Sequence, residues 1–579
     1  MCYHAPAQYH CIQGARLSAS FGCNFVFNQT GGERITRVLV IGLDGATWDV
    51  LRPLATDGRL PHLQQMMQKG AHGVLQSTIP PVTPAAWTSV FTGKNPGRHG
   101  IYDFQKIDRQ TYEFNTIRTH RHREKSLWQL TGEHGKRSIL VDVPFTFPPQ
   151  PFEGLMITGY GTPRTPDTVF TYPRDLTPIL PAELHSQIRV ALPDNSFDRS
   201  QRFIDEWAAI MDGRRALLRY LIAEQAWDYF MVVFSITDNM AHVFWTYVDP
   251  AHPNYYRAEA ERYRRAFFES YEQCDRLLGE MMEAAGRQTT TLVISDHGFG
   301  SVRPRQYLFQ RLLQGGYLRA SSERRRGTIS SALLKLAVQT YSRFPAIRET
   351  VKGLRPGRRQ LLKDTLQKAG ALPNASAVDY ARSQIILSNF GLQLWINEEG
   401  RFAGGTVSPG HREHLLNTLT EYLLADLDPV TAQPVIRTVH RGQDVYEGPF
   451  VSECPDLIIE YNNSFSIQGH EGQKNGHTEG GHTHEGIFLS LGADVIATEV
   501  SGARLIDLAP TVLHLLGLPV PPDVDGRILE EMLTAAYRQK NVPRIDDKPA
   551  ISNEEMPSAS YSAQEDEELR EQLRQLGYL

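Results

Sequence analysis

The 579-residue chain sets 60 Lys and Arg against 65 Asp and Glu, a formal charge of −5, and is 41% hydrophobic and 22% charged. These are the proportions of a soluble globular protein of about two to four domain-sized units, and the overall charge predicts neither a nucleic-acid nor a membrane partner. Five cysteines, Cys2, Cys11, Cys23, Cys274 and Cys454, form no CxxC pair, which fits a reducing compartment better than a disulfide scaffold.

No apolar run approaches the ~18 residues of a membrane-spanning helix. The N-terminus lacks the basic start and apolar stretch of a signal peptide, so the expected location is cytoplasmic. Residues 1–34 read as a disordered extension. Next, RVLVIGL at 37–43 is a short, β-branched apolar run, the pattern of a buried parallel strand, and it exits at Asp44 and Gly45. Asp44 therefore falls where open α/β sheets place their ligands. A helix is expected over 61–69.

The segment at 78–104, TIPPVTPAAWTSVFTGKNPGRHGIYDF, follows. A helix over 85–91 is expected, with Pro84 at its first position and Thr83 as the cap. Thr83 then lies where backbone N–H groups point outward toward an anion. Taken alone, the pattern also fits an ordinary capped helix.

Helices are expected over 126–133, 202–224 and 255–285, and strands over 138–144, 228–236 and 289–295. The last two strands run into TDNMAH at 237–242 and SDHGFG at 295–300. Repeated alternation of apolar strand and helix predicts a doubly wound, mostly parallel α/β sheet flanked by helices.

Residues 319–363 carry twelve Lys or Arg against Glu323 and Glu349. This stretch reads either as a solvated surface or as a patch that steers a phosphorylated or lipid-linked substrate and touches a membrane peripherally. Helices are expected over 331–341, 358–368 and 410–424, and strands over 381–388, 391–397 and 456–461. The rhythm resumes at Gly486 and with a packing helix from Ile506. The expected division is a core of 35–300 and 480–535, an inserted basic helical and α+β cap over 301–479, and an acidic linker with a terminal helix over 536–579. In that helix Ser562 and Glu565 have capping-box spacing, and Leu569, Leu573 and Leu576 share a face.

Asp238 and His242 are four apart, so a helix starting after the strand projects both from one face at a single metal's distance. Asp296 and His297 are adjacent and can reach different sides of one site from a strand-end loop. HEGQKNGHTEGGHTHEG supplies His470, His477, His482 and His484; it is either a polar loop or the source of one more ligand. Carboxylates mixed with imidazoles suit Zn²⁺, with Mn²⁺ second, and two such ions ~4 Å apart clamp both oxygens of a phosphoryl transfer.

These stretches, with VIGLDG at 40–45, GGHTHEGIF at 480–488 and DLAPTVLHLLGLPVPPDVDGRIL at 507–529, resemble the alkaline phosphatase superfamily, in particular its type I phosphodiesterase/nucleotide pyrophosphatase branch. The resemblance implies an alkaline phosphatase-like fold and a hydrolase acting on phosphate esters, diesters ahead of monoesters. It implies Thr83 as nucleophile through a phosphothreonine. It also implies one divalent ion on Asp238, His242 and His482, with His484 as second choice for the histidine, and another on Asp44, Asp296 and His297. Nucleotide pyrophosphatases place an asparagine on the phosphoryl oxygens after the HGI turn, and here that position is Phe104. Lys94 and Asn95 are the candidates to contact substrate instead, against a plain reading as loop polarity. The competing readings are a phosphoryl transferase resembling cofactor-independent phosphoglycerate mutase and a non-catalytic binder of phosphorylated ligands.

Overall fold

The computed structural model describes residues 37–551 and 562–575, apart from 118–123, 190–191, 194–200, 251, 303–304, 321–377, 390, 428–431 and 463–478. The N-terminal extension, the helices expected over 331–341 and 358–368, nearly all of the basic stretch, and His470 and His477 lie outside the described residues.

The main sheet is built from β1 (Arg37–Leu43), β2 (Ala71–Gln76), β3 (Ser138–Val143), β4 (Gly154–Thr158), β5 (Thr171–Tyr172), β6 (Tyr229–Phe234), β7 (Thr289–Ile294), β8 (Glu485–Leu491), β9 (Thr498–Glu499) and β10 (Ala503–Arg504). Its order is β9-β2-β8-β7-β1-β6-β3-β4-β5, with β10 also on β2. From β7 to β4 the neighbours are parallel, and β8 runs antiparallel to both β7 and β2.

Successive side chains of a strand point to opposite faces, and β1 feeds two cores in this way. Leu39, Ile41 and Leu43 pack with the helices Gln201–Glu224 and Ala260–Ala285 on one face. Val38 and Val40 pack with the helices Thr83–Thr92 and Leu508–Leu515 on the other. The continuous apolar runs of the central strands are explained by burial on both faces.

The observed elements follow the expected ones closely in the core. The Thr83 helix differs: it spans Thr83–Thr92, Val82 is the cap residue, and no side chain caps it. Thr83 is therefore the first helical residue instead of the cap, because the chain turns helical one residue ahead of Pro84. The long helix expected from 255 begins at Ala260, after a short 3₁₀ turn at Pro253–Tyr256. Ala71–Gln76 is a strand that the sequence did not reveal, since its alternation is short and holds Gly73 at a close approach to Val500 O.

A second, antiparallel sheet orders Ile385–Leu387, Gln393–Ile396, Leu457–Tyr461 and Ile436–Arg441, and has its own apolar cluster including Leu312, Leu394, Leu419 and Ile459. It leans on the turn after the Thr83 helix: Gln393 Nε2 donates to Tyr102 O at 2.7 Å, and Tyr102 packs on Tyr446 with centroids 4.9 Å apart. The terminal helix, Ala563–Gln575, starts with reciprocal Ser562–Glu565 hydrogen bonds and buries Leu569 and Leu573. No helix among the described residues is long and apolar enough to cross a membrane.

Candidate active site

Three neighbouring parallel strands, β6, β1 and β7, deliver the acids to one edge of the sheet. Asp44 directly follows β1, and Asp296 lies one residue beyond Ser295 after β7. Asp238 sits in the first turn of the helix Ile236–Val248, which begins two residues after β6. That helix carries His242 one turn on, and His242 Nε2 lies 3.3 Å from Asp238 Oδ1, as the spacing requires.

His297 and His482 come from a two-stranded ribbon. Gly298–Val302 pairs antiparallel with Glu479–Thr483, with Phe299 opposite His482. The expectation of a loop at His482 is thus corrected to a strand, and the rings of His297 and His482 stack with centroids 3.6 Å apart. His482 Nε2 is 3.0 Å from His242 Nε2 and 3.5 Å from Asp238 Oδ1. His297 Nε2 is 3.3 Å from Asp296 Oδ2, 3.7 Å from Asp44 Oδ1 and 3.4 Å from Thr83 Oγ1. His484 turns elsewhere, its Nδ1 lying 2.6 Å from Gln76 Oε1.

Two overlapping ligand groups result: Asp238, His297 and His482, and Asp44, Asp296 and His297, the donor atoms of each within 4.8 Å of one another. Asp44 Oδ1, Asp238 Oδ1 and Asp296 Oδ2 are buried without a hydrogen-bond partner. Buried carboxylate oxygens are seldom left so, and three of them facing imidazoles form a donor set that fits divalent cations.

The charges agree. Burial, then the fields of Asp296 and Asp238, hold the Asp44 carboxyl well above the usual range. Burial and Asp238 do the same for Asp296. Burial also opposes ionisation of Asp238, but His242 and His482 outweigh it and hold that carboxyl low. Burial keeps His297 and His482 below the ordinary imidazole range, and therefore neutral and able to ligate.

The supporting groups are local. His297 Nδ1 lies 3.0 Å from Gly298 O, and His482 Nδ1 lies 2.9 Å from Pro81 O, which sets the Nε2 atoms toward the acids. Trp87 Nε1 donates to Asp44 Oδ2 at 3.3 Å. Sequence reading missed Trp87, although it stands one helical turn after Thr83 and so shares its face.

Lys94 and Asn95 do not join this group. Lys94 is fully buried and ion-paired with Glu124 and with Asp523 at 2.6 Å, and Asn95 Nδ2 donates to Asp525 at 2.7 Å. These side chains tie the turn to distant parts of the chain. Phe104 is buried among Phe145, Tyr160, Leu192 and Leu573.

Acids and imidazoles thus crowd the ends of parallel strands around a helix-borne threonine. Over residues 38–486 the chain matches the type I phosphodiesterase / nucleotide pyrophosphatase family, and it belongs to that family, whose members are hydrolases of phosphate esters. No curated protein matches by sequence. Among solved structures it is similar to murine ectonucleotide pyrophosphatase / phosphodiesterase 5 in an inactive form with AMP, at 13% identity and a TM-score of 0.46 over 86% of this chain and 100% of that one. The human counterpart gives 14% and 0.45 over the same shares. Phosphonoacetate hydrolase from Sinorhizobium meliloti with phosphonoformate gives 13% and 0.45 over 83% of this chain and 96% of that one.

Proposed function

We propose that the protein hydrolyses phosphate esters, diesters ahead of monoesters, through a phosphothreonine formed on Thr83. The observation that carries this reading is the position of Thr83 Oγ1, buried at the start of a ten-residue helix and 3.4 Å from His297 Nε2 within the ligand group. Asp238, His242 and His482 would hold one divalent cation, and Asp44, Asp296 and His297 the other, with Zn²⁺ ahead of Mn²⁺ for this donor set. Such cations, when bound, supply Lewis-acid charge to the phosphoryl oxygens and lower the pKa of a neighbouring hydroxyl.

The chain's own residues do the rest. The partial positive charge at the helix N-terminus favours the phosphoryl group over Thr83. The Thr83 hydroxyl gives up its proton to solvent as its oxygen bonds to phosphorus and the ester P–O bond breaks, and the departing alkoxide takes a proton from solvent. Water then adds to phosphorus, the bond to Thr83 breaks, and the hydroxyl is restored.

The test is hydrolysis of bis-p-nitrophenyl phosphate and p-nitrophenyl phosphate by wild type and Thr83→Ala, with metal content measured for both. A loss of roughly 1,000-fold or more with metal content unchanged is expected. Activity that survives Thr83→Ala removes the nucleophile assignment.

A further inference from the structure

We propose that Tyr160 is a substrate-contacting residue, whose phenolic hydroxyl donates a hydrogen bond to a phosphoryl oxygen of the ester held at Thr83. The proposal rests on the phosphoesterase reading above and adds to it a recognition group for the phosphoryl moiety.

Tyr160 lies two residues beyond β4, whose chain of parallel neighbours, β3, β6 and β1, leads to the strands that deliver the acids. It therefore emerges at the same edge of the sheet. The residue is only 7% exposed, and its hydroxyl has no hydrogen-bond partner in the protein. A buried hydroxyl is rarely kept in that state unless a ligand or solvent satisfies it.

Its ring is held firmly. Phe104 and Phe145 meet it edge to face, with centroids 6.1 and 6.2 Å away, and Phe145 N donates to Tyr160 O at 2.9 Å. Leu573 of the terminal helix packs on the same cluster. Ring packing of this kind leaves the hydroxyl little freedom to seek a partner elsewhere.

Tyr160 also lines a small cavity with Asp142, Arg214, Phe234 and Ser235, the last two leading into the Asp238 helix. Phe234 O accepts from Asp44 N at 3.2 Å, which ties this cavity to the ligand group. Burial first, then the charges of Asp238 and Asp44, holds the phenol far above its ordinary range, so it stays protonated and remains a donor. Phe104, Phe145 and Leu573 present hydrocarbon to it, and the cavities it lines also hold Asp142, Arg214, Thr116 and Gln572. A protonated donor fixed beside the acid cluster suits an incoming anionic oxygen, and a phosphoryl group carries such oxygens.

Tyr160→Phe removes a single oxygen and keeps the ring. For bis-p-nitrophenyl phosphate, kcat/KM is expected to fall about 10- to 100-fold, the scale for losing one preorganised donor. Inhibition by inorganic phosphate is expected to weaken by at least about 5-fold, with metal content and Tm unchanged. Values of kcat/KM and phosphate inhibition within about twofold of wild type, while Thr83→Ala is inactive, would overturn the proposal and leave a phenol satisfied by solvent alone. A loss that tracks depleted metal or a lowered Tm would overturn it too. Should Thr83→Ala stay active, the nucleophile reading fails by itself, and phosphate inhibition of Tyr160→Phe still decides whether the phenol touches a bound phosphoryl group.

Discussion

Gly45 shows how little slack the site has at the scale of a residue. Its φ of +65° lies in the left-handed region, its N–H donates to Asp296 Oδ1 at 3.3 Å, and a Cβ there would stand 2.9 Å from Asp238 Oδ1. Gly45→Ala is expected to weaken metal binding about 10-fold or more by pushing on Asp238 and straining the turn, measurable by calorimetric titration of the metal-free protein. The acids also set a pH dependence. Asp44 and Asp296 have raised folded-state pKa values, so their contribution to the stability of metal-free protein is present at low pH and lost as pH rises through those values. Bound cations favour the ionised forms and reverse that loss. The Tm difference between metal-loaded and EDTA-treated protein should therefore widen as pH rises; a gap that narrows would contradict the ligand set.

Two elements away from the acids carry stability that can be checked. Asp142 sits at φ +56° in a bulge of β3 and is gripped by Arg214 of the Gln201–Glu224 helix, Nε to Oδ2 at 2.6 Å and a second nitrogen to Oδ1 at 2.9 Å, both residues buried. Arg214→Ala removes this buried ion pair and is expected to cost about 3–5 kcal/mol in chemical denaturation. The terminal helix is different: among the described residues it buries Leu569, Gln572 and Leu573, and Arg164 N donates to its Glu568 at 2.8 Å. Leu573→Ala should free it to protease while the core resists, read by limited proteolysis.

These elements also mark what was legible beforehand. Central strands were readable because burial on both faces writes itself as unbroken apolar runs, and Asp238 with His242 because a helix repeats within four residues. Pairing across long separations leaves no such local mark. The strand at His482 depends on Gly298–Val302, and the pairing of Lys94 depends on Glu124 and Asp523, so neither the strand nor the buried ion pairs were written in the local sequence.

For the molecule as a whole, we propose the second sheet as the cap of an inserted subdomain, supported by its separate strands and separate apolar cluster. It shares the turn at Gly97 with the Thr83 helix, and a Cβ on Gly97 would stand 2.6 Å from Glu447 O. Gly97→Val is expected to lower kcat/KM without changing metal content, because the displaced sheet pulls on that turn and leaves the ligands in place.

The main sheet has a further consequence for how the protein is made. Every strand that pairs with Ala71–Gln76 lies at residue 485 or later. At ribosomal rates of about 5–20 residues per second, that edge waits some 20–80 s for its first partner. Asp44, Asp238 and Asp296 follow β1, β6 and β7, whose mutual pairing needs nothing beyond Ile294, whereas His482 and every partner of β2 are made later. The nascent chain thus holds its three acids before His482 exists, and the candidate ligand group is complete only in the last fifth of synthesis.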